Sequence, residues 1–149
     1  NGGVATETTE LNPAANANDG SRVWAIGGQW KDNTQGIFPD ILTITFNGTK
    51  SIDEISVYAV RDDFNNTTPP DETTIATTYG IVDFEVQYWD GSAWVAVPGG
   101  TVTGNNKGLV KITFSPISTT MIRVIVTTGA PDGFSRIAEL EAWGDGPAS

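Results

Sequence analysis

The sequence predicts an all-β domain, an antiparallel sandwich of strands closed around one core. Three observations carry that reading. Apolar and polar residues alternate with the strand period along five separate runs. Dipeptides suited to tight turns punctuate those runs. No segment sustains a 3.6-residue period with helix caps, so one or two short helical turns are the most expected.

The first run alternates Leu42, Ile44 and Phe46 with Thr43 and Thr45. Ile55, Val57 and Ala59 alternate with Ser56 and Tyr58, and Val82, Phe84, Val86 and Tyr88 with Asp83, Glu85 and Gln87. Val110, Ile112 and Phe114 form the fourth run, and Ile122, Val124 and Val126 the fifth. Each run can bury one face and wet the other, as sandwich strands do. Asn47-Gly48 and Asp90-Gly91 read as hairpin turns because both dipeptides tolerate positive φ. Pro98-Gly99-Gly100 and Gly104-Asn105-Asn106 read as breaks in the stretch that follows. Three long polar stretches, residues 12 to 39, 61 to 79 and 128 to 136, stand apart as functional connections. The first carries Trp24, Trp30 and Phe38, which predicts a packed loop.

The chain of 149 residues suits a single domain spanning 1–149 that buries about two-thirds of its unfolded surface. No apolar run approaches the ~20 residues needed to cross a bilayer, and no basic-then-apolar signal opens the sequence. It reads as a mature or excised module. Cysteine and histidine are both absent, which excludes disulfides, Cys/His zinc sites and every Ser-His or Cys-His catalytic pair. Eight basic against 18 acidic residues give a net charge of −10. That field disfavours nucleic acid, anionic lipid and highly sulfated glycans, and leaves uncharged ligands and divalent cations; acidity by itself also serves solubility.

Three segments resemble the discoidin family, also called coagulation factor V/VIII type C, which includes the family 32 carbohydrate-binding modules of bacterial enzymes. They are Asn18-Asp19-Gly20, the hairpin from Tyr88 to Trp94, and the closing stretch from Ser135 through Glu139, Glu141 and Trp143 to Gly144. The resemblance implies an eight-stranded antiparallel jelly-roll β-sandwich of the galactose-binding-like type. It implies a non-catalytic carbohydrate-binding module for neutral or mildly acidic glycans, with a structural calcium ion. A discoidin-type protein-binding or cell-adhesion domain is the alternative, and a spacer whose binding face has decayed is a third. Eukaryotic members close their ends with a disulfide, impossible here, so a bacterial origin is expected. Galactose-binding members often use a histidine in the sugar site, and this chain has none. The implied setting is a secreted monomeric domain, appended to a larger secreted enzyme or surface protein, without membrane insertion or nucleic-acid binding.

Carried over by position, the resemblance implies calcium held by the carboxylates of Asp19 and Glu139 and the backbone carbonyls of Asn16, Ser21 and Ala138. Without that ion the same residues read as an Asx-turn and a solvated glutamate. The implied sugar site draws Trp24 and Gln29 from the first stretch, Arg61, Asp62, Phe64 and Asn65 from the second, and Asp132 and Phe134 from the third. Aromatic planes suit the C–H faces of sugar rings, and planar polar groups suit their hydroxyls. Phe64 and Phe134 are expected as exposed platforms. Trp30 is expected to pack under its loop, Arg136 to make an ion pair or carbonyl contacts, and Trp89, Trp94 and Trp143 to serve core or hairpin packing. Glu139 and Glu141, about 7 Å apart along a strand, invite comparison with a glycosidase pair. A calcium ligand beside a solvated neighbour accounts for both, with neither expected in a cleft that raises its pKa. The Asn-X-Thr acceptor patterns at Asn47, Asn65 and Asn66 carry no meaning in a bacterial protein.

Overall fold

Two long antiparallel strands organise the molecule. A computed structural model describes residues 3–7 and 12–144. Eight strands occur among them: β1 (Val4–Glu7), β2 (Trp30–Lys31), β3 (Asp40–Tyr58), β4 (Asp83–Trp89), β5 (Trp94–Val102), β6 (Leu109–Thr128), β7 (Arg136–Ile137) and β8 (Glu139–Trp143). A 3-10 turn at Ala14–Ala17 and one helical turn, α1 (Trp24–Gly27), are the helical elements. The antiparallel β-sandwich expected from the alternation is present.

The first half of β3 pairs with the second half of β6, Leu42 facing Val124 and Ile44 facing Ile122. Beside them β1 joins β3, β4 joins β6, and β5 joins β4. After a register break between Thr45 and Lys50, the second half of β3 pairs with the first half of β6 and with β8. Inward positions of both halves meet in one cluster that includes Leu42, Ile55, Val57, Val86, Ile112, Val124 and Leu140. Burying side chains of this size contributes about 1.5–3 kcal/mol each.

Two predicted turns are corrected. Asn47-Gly48 lies inside β3, where Gly48 takes φ 83° and bends the strand at the register break. The positive φ serves a bulge instead of a hairpin. Pro98-Gly99-Gly100 lies inside β5. A Cβ on Gly100 would stand 2.6 Å from the Val86 carbonyl oxygen, so the glycine permits close strand approach. Asp90-Gly91 does turn the β4–β5 hairpin, with Asp90 Oδ1 accepting from the Ser92 and Ala93 amides at 2.8 Å.

Trp89 and Trp94 pack edge-on across that hairpin at 5.6 Å. Trp30 is fully buried in the core. Trp143 departs from its expected packing role: it ends β8 and is 52% exposed, its Nε1 donating to Glu141 Oε1.

The two-residue ladder of β2 with β7 fastens the early loop to the last one, Trp30 opposite Ile137 and Lys31 opposite Arg136. A buried polar lock adjoins it. Asp32 Oδ1 accepts from the Ser135 amide at 2.6 Å and Oδ2 from the Thr34 amide at 2.8 Å. Asp40 Oδ2 accepts from Ser135 Oγ at 2.6 Å. A second apolar cluster of Tyr58, Val60, Leu109 and Ala138 lies beneath Trp24, Phe64 and Tyr79.

Candidate ligand and cation sites

The ladder and the second cluster bring parts of all three long stretches together. Trp24 meets Phe64 edge to face at 4.9 Å, and Phe64 meets Tyr79 in the same way at 5.6 Å, a T-shaped geometry that ring quadrupoles favour. These rings, with Gln29, Lys31 and Arg136, line a cavity of about 190 Å³ over Val60. Gln29 is only 6% exposed, and among the described residues its side-chain amide has no hydrogen-bond partner. Among the described residues the fully buried side-chain polar atoms without partners are Trp30 Nε1 and Glu139 Oε2, so the Gln29 amide keeps contact with solvent and can be met by a ligand there.

Arg136 is buried and pairs through both terminal nitrogens with Asp132, which holds that carboxyl below its ordinary value. Its guanidinium carbon also lies 5.2 Å from the Tyr79 ring centre and 5.6 Å from that of Phe134. Lys31 Nζ stands 4.1 Å from the Phe134 ring centre, a cation–π contact, and has no ion-pair partner among the described residues.

Of the residues named from sequence, Trp24, Gln29 and Phe64 line this cavity. The others do not. Arg61 is turned into its own loop, Nε bonded to Asp63 and Nη1 donating to the Thr68 carbonyl at 2.7 Å. Asp62 caps the Thr77 hydroxyl and the Thr78 amide. Asn65 is exposed. Asp132 serves Arg136, and Phe134 backs the two cations without lining the cavity. Phe64 and Phe134 are half-buried instead of standing out as platforms. Lys31, Tyr79 and Arg136 were not among the candidates; the one sequence signal was an aromatic isolated in a polar stretch, Tyr79.

The acidic residues around Asp19 form a separate centre. Asp19 Oδ1 accepts from the Ser21 amide at 2.8 Å, and Ser21 Oγ donates to the Val23 carbonyl. Asn16 donates its side chain to the Gln29 carbonyl, and the Ala138 amide bonds the Tyr58 carbonyl. Glu139 is fully buried; Oε1 accepts from the Gly20 amide at 3.1 Å and Oε2 has no partner. Burial, with the negative charges of Asp19 and Glu141 adding to it, pushes this carboxyl up to about 8. The sequence had led us to expect no such environment. Nor is Glu141 solvated: Arg22 clamps it at 2.8 and 2.9 Å and Trp143 donates to it.

A dry carboxyl with one open oxygen beside Asp19 is suited to a hard cation, which would take the place of its proton. Among the described residues no three acidic side chains gather there, so any ion must draw its other oxygens from backbone carbonyls and hydroxyls. A larger cavity of about 900 Å³ lies between the bend of β3 and β8. Arg22 and Glu141 line it but are bonded to each other.

Comparison with known proteins agrees with this architecture. The profile of the F5/8 type C domain matches residues 3–140. No curated protein matches the chain. Among solved structures, the family 32 module of Clostridium perfringens NanJ in complex with galactose superposes with a TM-score of 0.69 at 23% identity, over 94% of this chain and 92% of that one. A second C. perfringens module, in complex with GalNAc-β-1,3-galactose, gives 0.69 at 19% identity over 96% of each chain. Chitosan-binding module 2 of a Paenibacillus sp. IK-5 chitosanase/glucanase, in complex with chitotriose, gives 0.72 at 18% identity over 96% of this chain and 97% of its own. With the family match running from β1 into β8 over the antiparallel sandwich described above, the chain belongs to the F5/8 type C domain family.

Proposed function

We propose that the chain is a non-catalytic carbohydrate-binding module whose ligand seats one sugar ring in the cavity between Trp24, Phe64 and Tyr79. The observation that carries this reading is a cavity walled by aromatic rings and lined by Gln29, whose side-chain amide has no protein partner among the described residues. Rings offer C–H stacking, the amide offers a donor and an acceptor to hydroxyls, and Arg136 adds a fixed planar donor. The size also fits. About 190 Å³ is below the ~300–1,000 Å³ typical of drug-sized ligands, so a terminal residue suits it better than an enclosed chain. Solved relatives in complex with galactose, GalNAc-β-1,3-galactose and chitotriose support a sugar as the ligand class. The acidic pair on β8 does not support hydrolysis, because Arg22 occupies both oxygens of Glu141.

The calcium reading belongs to the same proposal. Asp19 and Glu139 would hold the ion by side chain, with the carbonyls of Asn16, Ser21 and Ala138 completing the set. Bound there, calcium supplies charge neutralisation and no chemistry. Glu139 and Asp19 then pin the early loop to β8. The protein is proposed to be a secreted bacterial monomer appended to a larger enzyme or surface protein. No helix of the described residues is long and apolar enough to cross a membrane.

The test is a glycan array followed by titration calorimetry on the best ligand. Phe64→Ala should weaken binding by on the order of 1.5–3 kcal/mol, the burial of a ring of that size. That is enough to erase a ligand held near millimolar, about −4 kcal/mol. Thr101→Ala, on β5, should bind as the parent does. An unchanged affinity in Phe64→Ala would move the site elsewhere, and an array without any positive glycan would favour a protein ligand.

A further inference from the structure

The cavity has an electrostatic peculiarity that sugar binding in general does not require. Lys31 and Arg136 are directly opposed in the β2–β7 ladder, and both line the cavity. Like charges at opposed positions destabilise a strand pair. One carboxylate, Asp132, accompanies them, and it is bonded to Arg136. Lys31 rests on the face of Phe134 and helps to lower the Asp132 carboxyl from a distance, without an ion pair of its own among the described residues. In a chain carrying 18 acidic against 8 basic residues, acids to complete the pair are not scarce. Two cations thus share one carboxylate, beside a Gln29 amide that has no protein partner among the described residues. One wall therefore makes two complementary demands, for a negative charge and for a hydrogen-bonding oxygen.

We infer that this pocket selects an acidic sugar residue, its anionic group meeting Lys31 and its ring lying among Trp24, Phe64 and Tyr79. The inference rests on the carbohydrate reading above and narrows it. A uronate and a sugar monosulfate share the chemistry. The long-range field of a −10 chain opposes such a ligand, so the attraction must be short-ranged, from groups at contact distance within a partly dry pocket.

Titration calorimetry on the intact domain decides it. The probes are methyl α-galacturonide against methyl α-galactoside, methyl β-glucuronide against methyl β-glucoside, and galactose 6-sulfate against galactose. In at least one pair the acidic sugar should bind ten-fold or more tighter than its neutral counterpart at low salt. Whether that pair carries carboxylate or sulfate identifies the anion. Lys31→Met should bring the two affinities together, and Lys31→Arg should restore the difference. Should the methionine variant fold poorly, wild-type protein gives the same answer. Raising salt from about 0.01 to about 1 M shortens the screening length from ~30 to ~3 Å and should shrink the ratio. Equal or better binding of the neutral sugars overturns the inference and leaves the carbohydrate reading standing. A preference that survives Lys31→Met, or that ignores salt, overturns it also. If no probe of any pair binds, the inference falls, and the glycan array decides the carbohydrate reading by itself.

Discussion

The early loop is fastened at two places by carboxylates taken out of water, and the two are completed differently. At one, Asp32 and Asp40 are 0% and 1% exposed, and their oxygens receive the Ser135 and Thr34 amides and the Ser135 hydroxyl. At the other, Glu139 is equally buried, with one oxygen on the Gly20 amide and the second on nothing. The first is closed within the protein. The second is open by one acceptor, beside Asp19, and that open oxygen marks it as a candidate cation site. Burial does not distinguish them; the count of filled lone pairs does.

The largest expected effect breaks the closed lock. Asp32→Ala strands two amides, at about 1–3 kcal/mol for each unsatisfied group. With 2–4 °C per kcal/mol for a domain of this size, thermal melts should fall by roughly 4–24 °C, whether calcium is present or not. A loss under 2 °C would mean that water replaces the carboxylate and that the lock is not closed.

The next effect sharpens the open site. Calcium at about 100 times its dissociation constant should add ~2.7 kcal/mol, so chelation should lower the Tm by roughly 5–10 °C. Glu139→Gln should remove the response while melting no lower than calcium-free wild type. A wild-type melt that ignores both calcium and chelator removes the cation from this centre.

The smallest effect is one of pH. Burial, and then the charge of Asp32, raise the Asp40 carboxyl above its ordinary 3.8. A folded-state value above the unfolded one means that the contribution of Asp40 to stability is complete at pH below 3.8 and is lost as pH rises through the folded value. Asp40→Asn keeps an acceptor for Ser135 and cannot ionise. Its stability relative to wild type should therefore increase with pH across that window, with a slope of at most about 1.4 kcal/mol per pH. The difference should be taken between the two proteins. Asp71, lowered to about 2 by its Thr73 and Thr74 hydrogen bonds, adds an opposite slope to both. A difference curve that is flat or falls with pH would place Asp40 in water.

These sites were legible in the sequence to unequal degrees. Alternation located the buried faces, because a period of two is a local property: Leu42, Ile44, Ile55, Val57, Val124 and Val126 are all in the core. It could not show that residues 42 to 46 and 55 to 58 belong to one strand, since Asn-Gly suits a bulge as well as a hairpin. Glu139 was reached through family resemblance, but its open oxygen depends on how β8 lies against Gly20, which no spacing records. Arg61 was a reasonable ligand contact on chemistry alone. Its capture by Asp63 and Thr68 follows from the local path of the loop. Arg136 was expected to make an ion pair, and it does, but its place opposite Lys31 escaped notice because a ladder of two residues leaves no periodic trace, and 105 positions separate them.

The continuity of β3 and β6 bears on how the domain would take a load. A sandwich built from two independent sheets has a seam, held by side chains alone, along which one sheet can be prised from the other. Here the same two backbones run through both layers, β3 bending at Gly48 and β6 alongside it. A pull on a ligand gripped at the β2–β7 end passes through Asp32, Asp40 and Ser135 into the start of β3, and from there along its backbone into the second layer. Tension is thereby distributed over the inter-strand hydrogen bonds of both layers, which must shear together before either one yields.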